Sequence, residues 1–156
     1  MSKEPIEIKF DGQEILDKIS ELAKRGEDLR PLMKNIAGVF ADSTEENFAK
    51  EGRPDKWVDL SQITKDKRKE INKWPGMILQ VDGGLASSIS TDYGDDYALI
   101  GSNKEYAAIH QLGGKAGRNK KVKIPARPYL KLTEEDYAEI LDKVEKYLNI
   151  NSSVKS

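Results

Sequence analysis

Between Tyr106 and Leu130 the chain reads Tyr106-Ala107-Ala108-Ile109-His110-Gln111-Leu112-Gly113-Gly114. It continues through the cations Lys115, Arg118, Lys120, Lys121 and Lys123 into Ile124-Pro125-Ala126-Arg127-Pro128-Tyr129-Leu130. Tyr106, Ile109 and Leu112 recur at helical steps, so a short helix is predicted, closed by the glycine pair. The cations, interleaved with Gly117 and Asn119, read as a basic loop. Pro125 and Pro128 hold the last part extended, because each fixes its own φ and disfavours helix in the residue before it.

The same mixture extends outward in both directions. Upstream, Ile89, Thr91 and Tyr93 alternate with polar residues, Gly94-Asp95-Asp96 turns the chain, and Tyr97 to Gly101 alternates again, the pattern of a β-hairpin. Gly83 and Gly84 lead into one helical turn over Leu85 to Ile89, after a short apolar run from Met77 to Val81. Downstream, Thr133 and Asp136 open a last helix with the stripe Tyr137, Ile140, Leu141, Val144, Tyr147 and Leu148. The polar residues from Asn149 on are expected to fray, with 151–156 as a disordered tail.

Near the N-terminus, Ile6, Ile8 and Phe10 alternate with charges and predict a strand. Asp11 and Glu14 have capping-box spacing for a helix carrying Ile15, Ile19 and Leu22 and ending at Gly26. A long helix is predicted over residues 28–50, with Pro31 in its first turn. Its stripe is Leu29, Met33, Ile36, Phe40 and Phe48, with Thr44 filling the gap. Gly52 and Pro54 stop it. Arg53 to Gly76 is polar and reads as a surface arm, with a short helix over 64–72 pinned by Trp57 and Trp74. The expected fold class is α+β: a small antiparallel sheet packed by two or three helices, one of them long, in a single domain over residues 1–150.

A chain of 156 residues suits one domain with its own core. Hydrophobic residues make up 37% and charged residues 34%, a wet balance that helices with one charged face produce. The net charge of -1 argues against a dedicated nucleic-acid binder, which usually carries a basic excess. There is no cysteine, hence no disulfide framework and no thiolate chemistry. No signal-peptide core and no run of membrane-spanning length are present, so no membrane role is expected.

Enzyme chemistry finds little purchase. Gly114-Lys115 resembles the tail of a phosphate-binding loop, but that pattern needs glycine where Ile109 stands and Ser or Thr where Ala116 stands. His110 is the only histidine, too few ligands for a transition-metal site, and no Gly-x-Ser-x-Gly accompanies it. The pairs Glu45-Glu46 and Glu134-Glu135 are helix neighbours that do not face each other, and Asp95-Asp96 suits a turn. No catalytic residue, metal, cofactor or small-molecule substrate is expected. The basic loop could touch phosphates without sequence preference; it holds no aromatic for base stacking. DNA contact through Lys115, Arg118, Lys120, Lys121 and Lys123 is therefore the alternative reading.

Several runs resemble the phage virion morphogenesis family, the tail completion proteins of Mu-like phages. They are Ile78-Leu79-Gln80, Gly84-Leu85, Ser88-Ile89, Gly101-Ser102-Asn103, Tyr106 to Gly114 and Ile124 to Leu130, with Glu51-Gly52-Arg53-Pro54, Trp57 and Leu60 upstream. The similarity covers Ile6 to Ile150. It implies a structural, non-enzymatic role in tail completion or head–tail joining. It further implies a homo-oligomeric ring, a hexamer among the candidate sizes, that contacts other tail or connector proteins. The expected location is the host cytoplasm during assembly, then the tail or neck of the virion. The candidate interface residues are Tyr106, His110, Gln111, Gly113, Gly114, Arg127, Pro128 and Trp57. Arg127 is expected to pair with a carboxylate, in its own chain or across a subunit boundary. The same residues could instead only shape the domain's own loop, and the sequence leaves both readings open.

Overall fold

The helix predicted over 28–50 forms as α2, Arg30–Ala49, about 30 Å long. It is preceded by α1, Gln13–Lys24, and followed by α3, Gln62–Glu70, and α4, Gly84–Ser88. Strands β1 (Ile89–Tyr93) and β2 (Ala98–Ser102) come next, then α5 (Ala107–Leu112), β3 (Gly114–Ala116), β4 (Val122–Ile124) and α6 (Glu134–Val154). The computed structural model describes residues 12–81 and 83–154. The strand predicted at Ile6 to Phe10 and the Asp11 side of the capping box lie outside the described residues.

The fold class is α+β. Among the described residues the strands form two separate two-stranded ribbons, β1–β2 and β3–β4, where one sheet was expected. The chain divides into two compact units: residues 1–43, 90–101 and 132–156, and residues 44–89 and 102–131.

The first unit is built on apolar stripes. Ile15 and Leu22 of α1, Leu32, Met33, Ile36 and Val39 of α2, and Ile140 and Val144 of α6 form one buried cluster with Leu29. Tyr137, Leu141, Tyr147 and Leu148 pack against it, as the α6 stripe requires, and so do Tyr93 and Ala98 of the first ribbon. The stripe read from the sequence left out Leu32, Ala37 and Val39, all buried, because α2 is covered on more than one face. The Asp28 carboxylate accepts the Arg30 N–H at 3.1 Å at the start of α2. Thr133 and Asp136 cap α6 reciprocally: Asp136 Oδ2 accepts the Thr133 N–H at 2.8 Å, and Thr133 Oγ1 accepts the Asp136 N–H at 3.2 Å. No glycine or proline follows Leu148, so α6 runs on to Val154, through four of the six residues assigned to a disordered tail.

The second unit starts with the last turns of α2 and has no comparable aliphatic stripe. Aromatic rings meet there instead: Phe48 stacks on Tyr129, with centroids 5.4 Å apart, and meets Trp57 edge-on at 5.8 Å. Gly52, at φ 112°, closes the C-terminal end of α2. A Cβ there would lie 2.6 Å from the Asp55 carbonyl oxygen, so only glycine fits. The segment expected as a basic loop is in fact a β-hairpin. Gly114 pairs with Ile124, Lys115 with Lys123 and Ala116 with Val122. The Val-Lys-Ile alternation is a strand signal that the density of lysines obscured.

Candidate assembly interface

The geometry of the second unit grows from side chains that grip backbone carbonyls. Asn47, fully buried, donates through Nδ2 to the carbonyls of Tyr129 (2.8 Å) and Lys131 (2.9 Å), and its Oδ1 accepts from Arg53 Nε at 2.8 Å. Trp57 Nε1 donates to the Pro128 carbonyl at 3.3 Å. Arg68 Nη1 donates to the Met77 carbonyl at 2.9 Å. Arg127 donates from Nε to the Val58 carbonyl (2.9 Å) and from Nη2 to the Asp59 carbonyl (3.1 Å). Within the chain, the carboxylate partner that Arg127 could have had is replaced by backbone carbonyls as its hydrogen-bond acceptors, with the Asp59 charge acting only from nearby. Burial, and then Arg68, push its pKa down, and Asp59 partly offsets them. A guanidinium starts so high that it stays charged regardless.

The proline-held segment lies along α5. The Arg127 N–H donates to the His110 carbonyl at 2.8 Å, Tyr129 Oη to the Ala107 carbonyl at 2.7 Å, and the Leu130 N–H to Gln111 Oε1 at 3.0 Å. Gly113, at φ 75°, makes this closeness possible, since a Cβ there would sit 2.8 Å from the Ala126 nitrogen. Burial raises the Tyr129 hydroxyl to about 12. His110 is held below its usual value, first by burial and then by Arg127. Its ring lies edge-on to Tyr106 at 5.9 Å.

The candidate interface residues therefore separate into two groups. Trp57, Gln111, Gly113, Arg127 and Pro128 are engaged within the unit, and His110 is half-buried beside them. Tyr106 and Gly114 are exposed. Around them stand apolar side chains that sequence reasoning did not single out: Tyr106 is 42% exposed, but Leu112 reaches 67% and Val122 53%. The signal was available, since Leu112 ends a six-residue helix and cannot be covered by it. Lys115, Arg118, Lys120, Lys121 and Lys123 are all exposed, and no ion pair joins any of them to a carboxylate among the described residues.

The chemistry offered elsewhere is thin. Among the described residues no group of three or more His, Asp or Glu side chains could hold a metal ion. A groove of about 350 Å³ in the first unit is lined by Ile15, Met33, Ile36, Phe40 and neighbouring residues, with Asp96 its only ionisable carboxylate. No described helix is long and apolar enough to cross a membrane.

The chain is a structural virion-assembly protein and belongs to the phage virion morphogenesis family, whose pattern matches residues 10–149. It is 39% identical over 146 residues to the Mu-like prophage FluMu G protein 2 of Haemophilus influenzae, an alignment covering 93% of this chain and 97% of that one. It is 41% identical over 139 residues to the FluMu G protein 1 of the same organism, covering 86% and 89%. The putative capsid assembly protein G of Escherichia phage Mu is 41% identical over 121 residues, covering 75% and 78%. The family is one of virion morphogenesis, and the phage Mu relative is named for capsid assembly. No solved structure matches the chain.

Proposed function

We propose that this protein completes the phage tail or joins it to the head, as one subunit of a ring held by protein–protein contacts. The observation that carries the reading is the exposed edge formed by α5 and the β3–β4 hairpin. Large apolar side chains stand there at 42–67% exposure on a backbone fixed by buried hydrogen bonds. Exposed apolar groups beside charged ones mark a surface kept for a partner. A pre-ordered backbone lowers the entropy cost of binding. The functional partners are other copies of the chain and neighbouring tail or connector proteins.

A phage genome with this gene interrupted tests the role. The expected lysate holds filled heads and tails that fail to join, or tails without a regular end, and the purified protein added back restores infectivity. Normal infectious particles from the interrupted genome would remove the reading. Contact with DNA through the hairpin cations is the second reading, favoured by their exposure and by the absence of ion pairs to them among the described residues. A salt titration of duplex binding tests it. The slope should flatten by about one for each phosphate that a substituted lysine no longer neutralises.

A further inference from the structure

The near-zero net charge conceals a strong division. Residues 1–43, 90–101 and 132–156 hold 10 Lys or Arg against 18 Asp or Glu; residues 44–89 and 102–131 hold 16 against 9. The basic surplus lies in the 102–131 segment, which has eight cations and one carboxylate, and its exposed focus is the β3–β4 hairpin. Within that hairpin Lys115 and Lys123 are direct cross-strand partners. Like charges opposite each other on a ribbon destabilise it, and no described carboxylate pairs with either lysine. On α6 the mirror case occurs. Glu134, Glu135 and Glu139 are exposed, Glu135 and Glu139 are one turn apart, and no ion pair joins any of the three to a described cation. Like charges at that spacing weaken a helix.

The lysine pair is unfavourable in the isolated chain, and on α6 the Glu135–Glu139 repulsion offsets part of what the first-turn carboxylates gain from the helix dipole; each is relieved when it meets the other. We infer that the basic hairpin of one copy docks on the acidic first turns of α6 of the next copy. This rests on the ring reading above and names its contact. Two different patches meeting head to tail make the heterologous interface from which closed rings are built. Opposite charge sets the register and speeds the encounter. Leu112 and Val122, exposed beside the cations, favour a protein surface over DNA as occupant. Phosphates would satisfy the lysines but leave both apolar side chains in water.

Charge reversal tests the contact. Lys120→Glu with Lys121→Glu forms one variant, and Glu135→Lys with Glu139→Lys forms another; both sets lie on the surface, and circular dichroism confirms that each chain folds. Each variant alone should assemble on the order of a hundredfold more weakly than the wild type, measured by sedimentation at moderate salt. A chain carrying all four reversals should regain assembly, because the attraction is restored with its sign exchanged. Rings that form equally well from both single-site variants would overturn the inference and leave the ring reading standing. A wild-type chain that stays monomeric at every salt concentration overturns both. A hairpin variant that loses duplex DNA binding but keeps its rings overturns the inference in favour of a nucleic-acid contact.

Discussion

In the first unit, nine buried apolar side chains from three helices and the lead-in to α2 close over one another, and the buried polar side chains Ser43, Thr133 and Asp136 are confined to the start of α6 and the α2 residue bonded to it. In the second, the buried set includes Asn47, Arg68 and Arg127; Asn47 and Arg127 grip carbonyls of segments distant in sequence, and Arg68 holds the Met77 carbonyl nine residues on. One unit is held by non-directional burial, where stability scales with apolar area removed from water. The other adds directional bonds to its apolar burial, and removing a donor leaves a carbonyl without its protein partner. The first fills a close-packed core; the second fixes a backbone. The exposed edge that we propose for assembly stands on the second.

The largest expected effect sharpens the apolar side of this contrast. Leu32→Ala, at a fully buried position in α2, should lower stability by about 3–4 kcal/mol in urea unfolding. Arg127→Ala tests the polar side and should cost about 2 kcal/mol, by removing two charged hydrogen bonds from a buried guanidinium. Arg127→Lys should recover little, since an ammonium cannot reproduce the fork. A loss below about 1 kcal/mol for Arg127→Ala would break the comparison, because the second unit would then rest on something other than its polar frame. Tyr129→Phe should cost about 1 kcal/mol while keeping the stacking on Phe48.

Proton linkage adds two smaller effects of opposite sense. Tyr129 ionises near 10 when unfolded but only at about 12 when folded. The stability it contributes is therefore complete below pH 10 and declines as pH rises toward 12. The folded pKa of His110 is depressed by burial, so its contribution is present above 6.5 and is lost as pH falls below that value. Chemical unfolding across pH, repeated with His110→Gln, should show a shallower acid limb for the variant. Lys146→Ala, at the exposed pair with Asp142, should leave the unfolding midpoint unchanged.

The same contrast explains what the sequence made legible. The α6 stripe, its Thr133–Asp136 cap and the α2 boundaries at Pro31 and Gly52 follow from periodicity and from residues with one conformational use. The partners of Asn47 and Arg127 could not be read, because a carbonyl acceptor 82 or about 70 residues away leaves no trace in side-chain pattern. The β3–β4 hairpin was hidden for a related reason: its strands are three residues long and two of those six positions are lysine, which local propensity assigns to a loop. At the candidate interface, the resemblance drew notice to the segment from Tyr106 to Leu130. The engagement of Trp57, Gln111 and Arg127 within the unit became visible only in three dimensions.

The mass of the purified protein under native conditions, followed from low to high ionic strength, tests the central claim most directly. The account predicts a closed assembly with one fixed number of copies at low salt, which dissociates to monomers as salt is raised. A monomer at every ionic strength and concentration would contradict it.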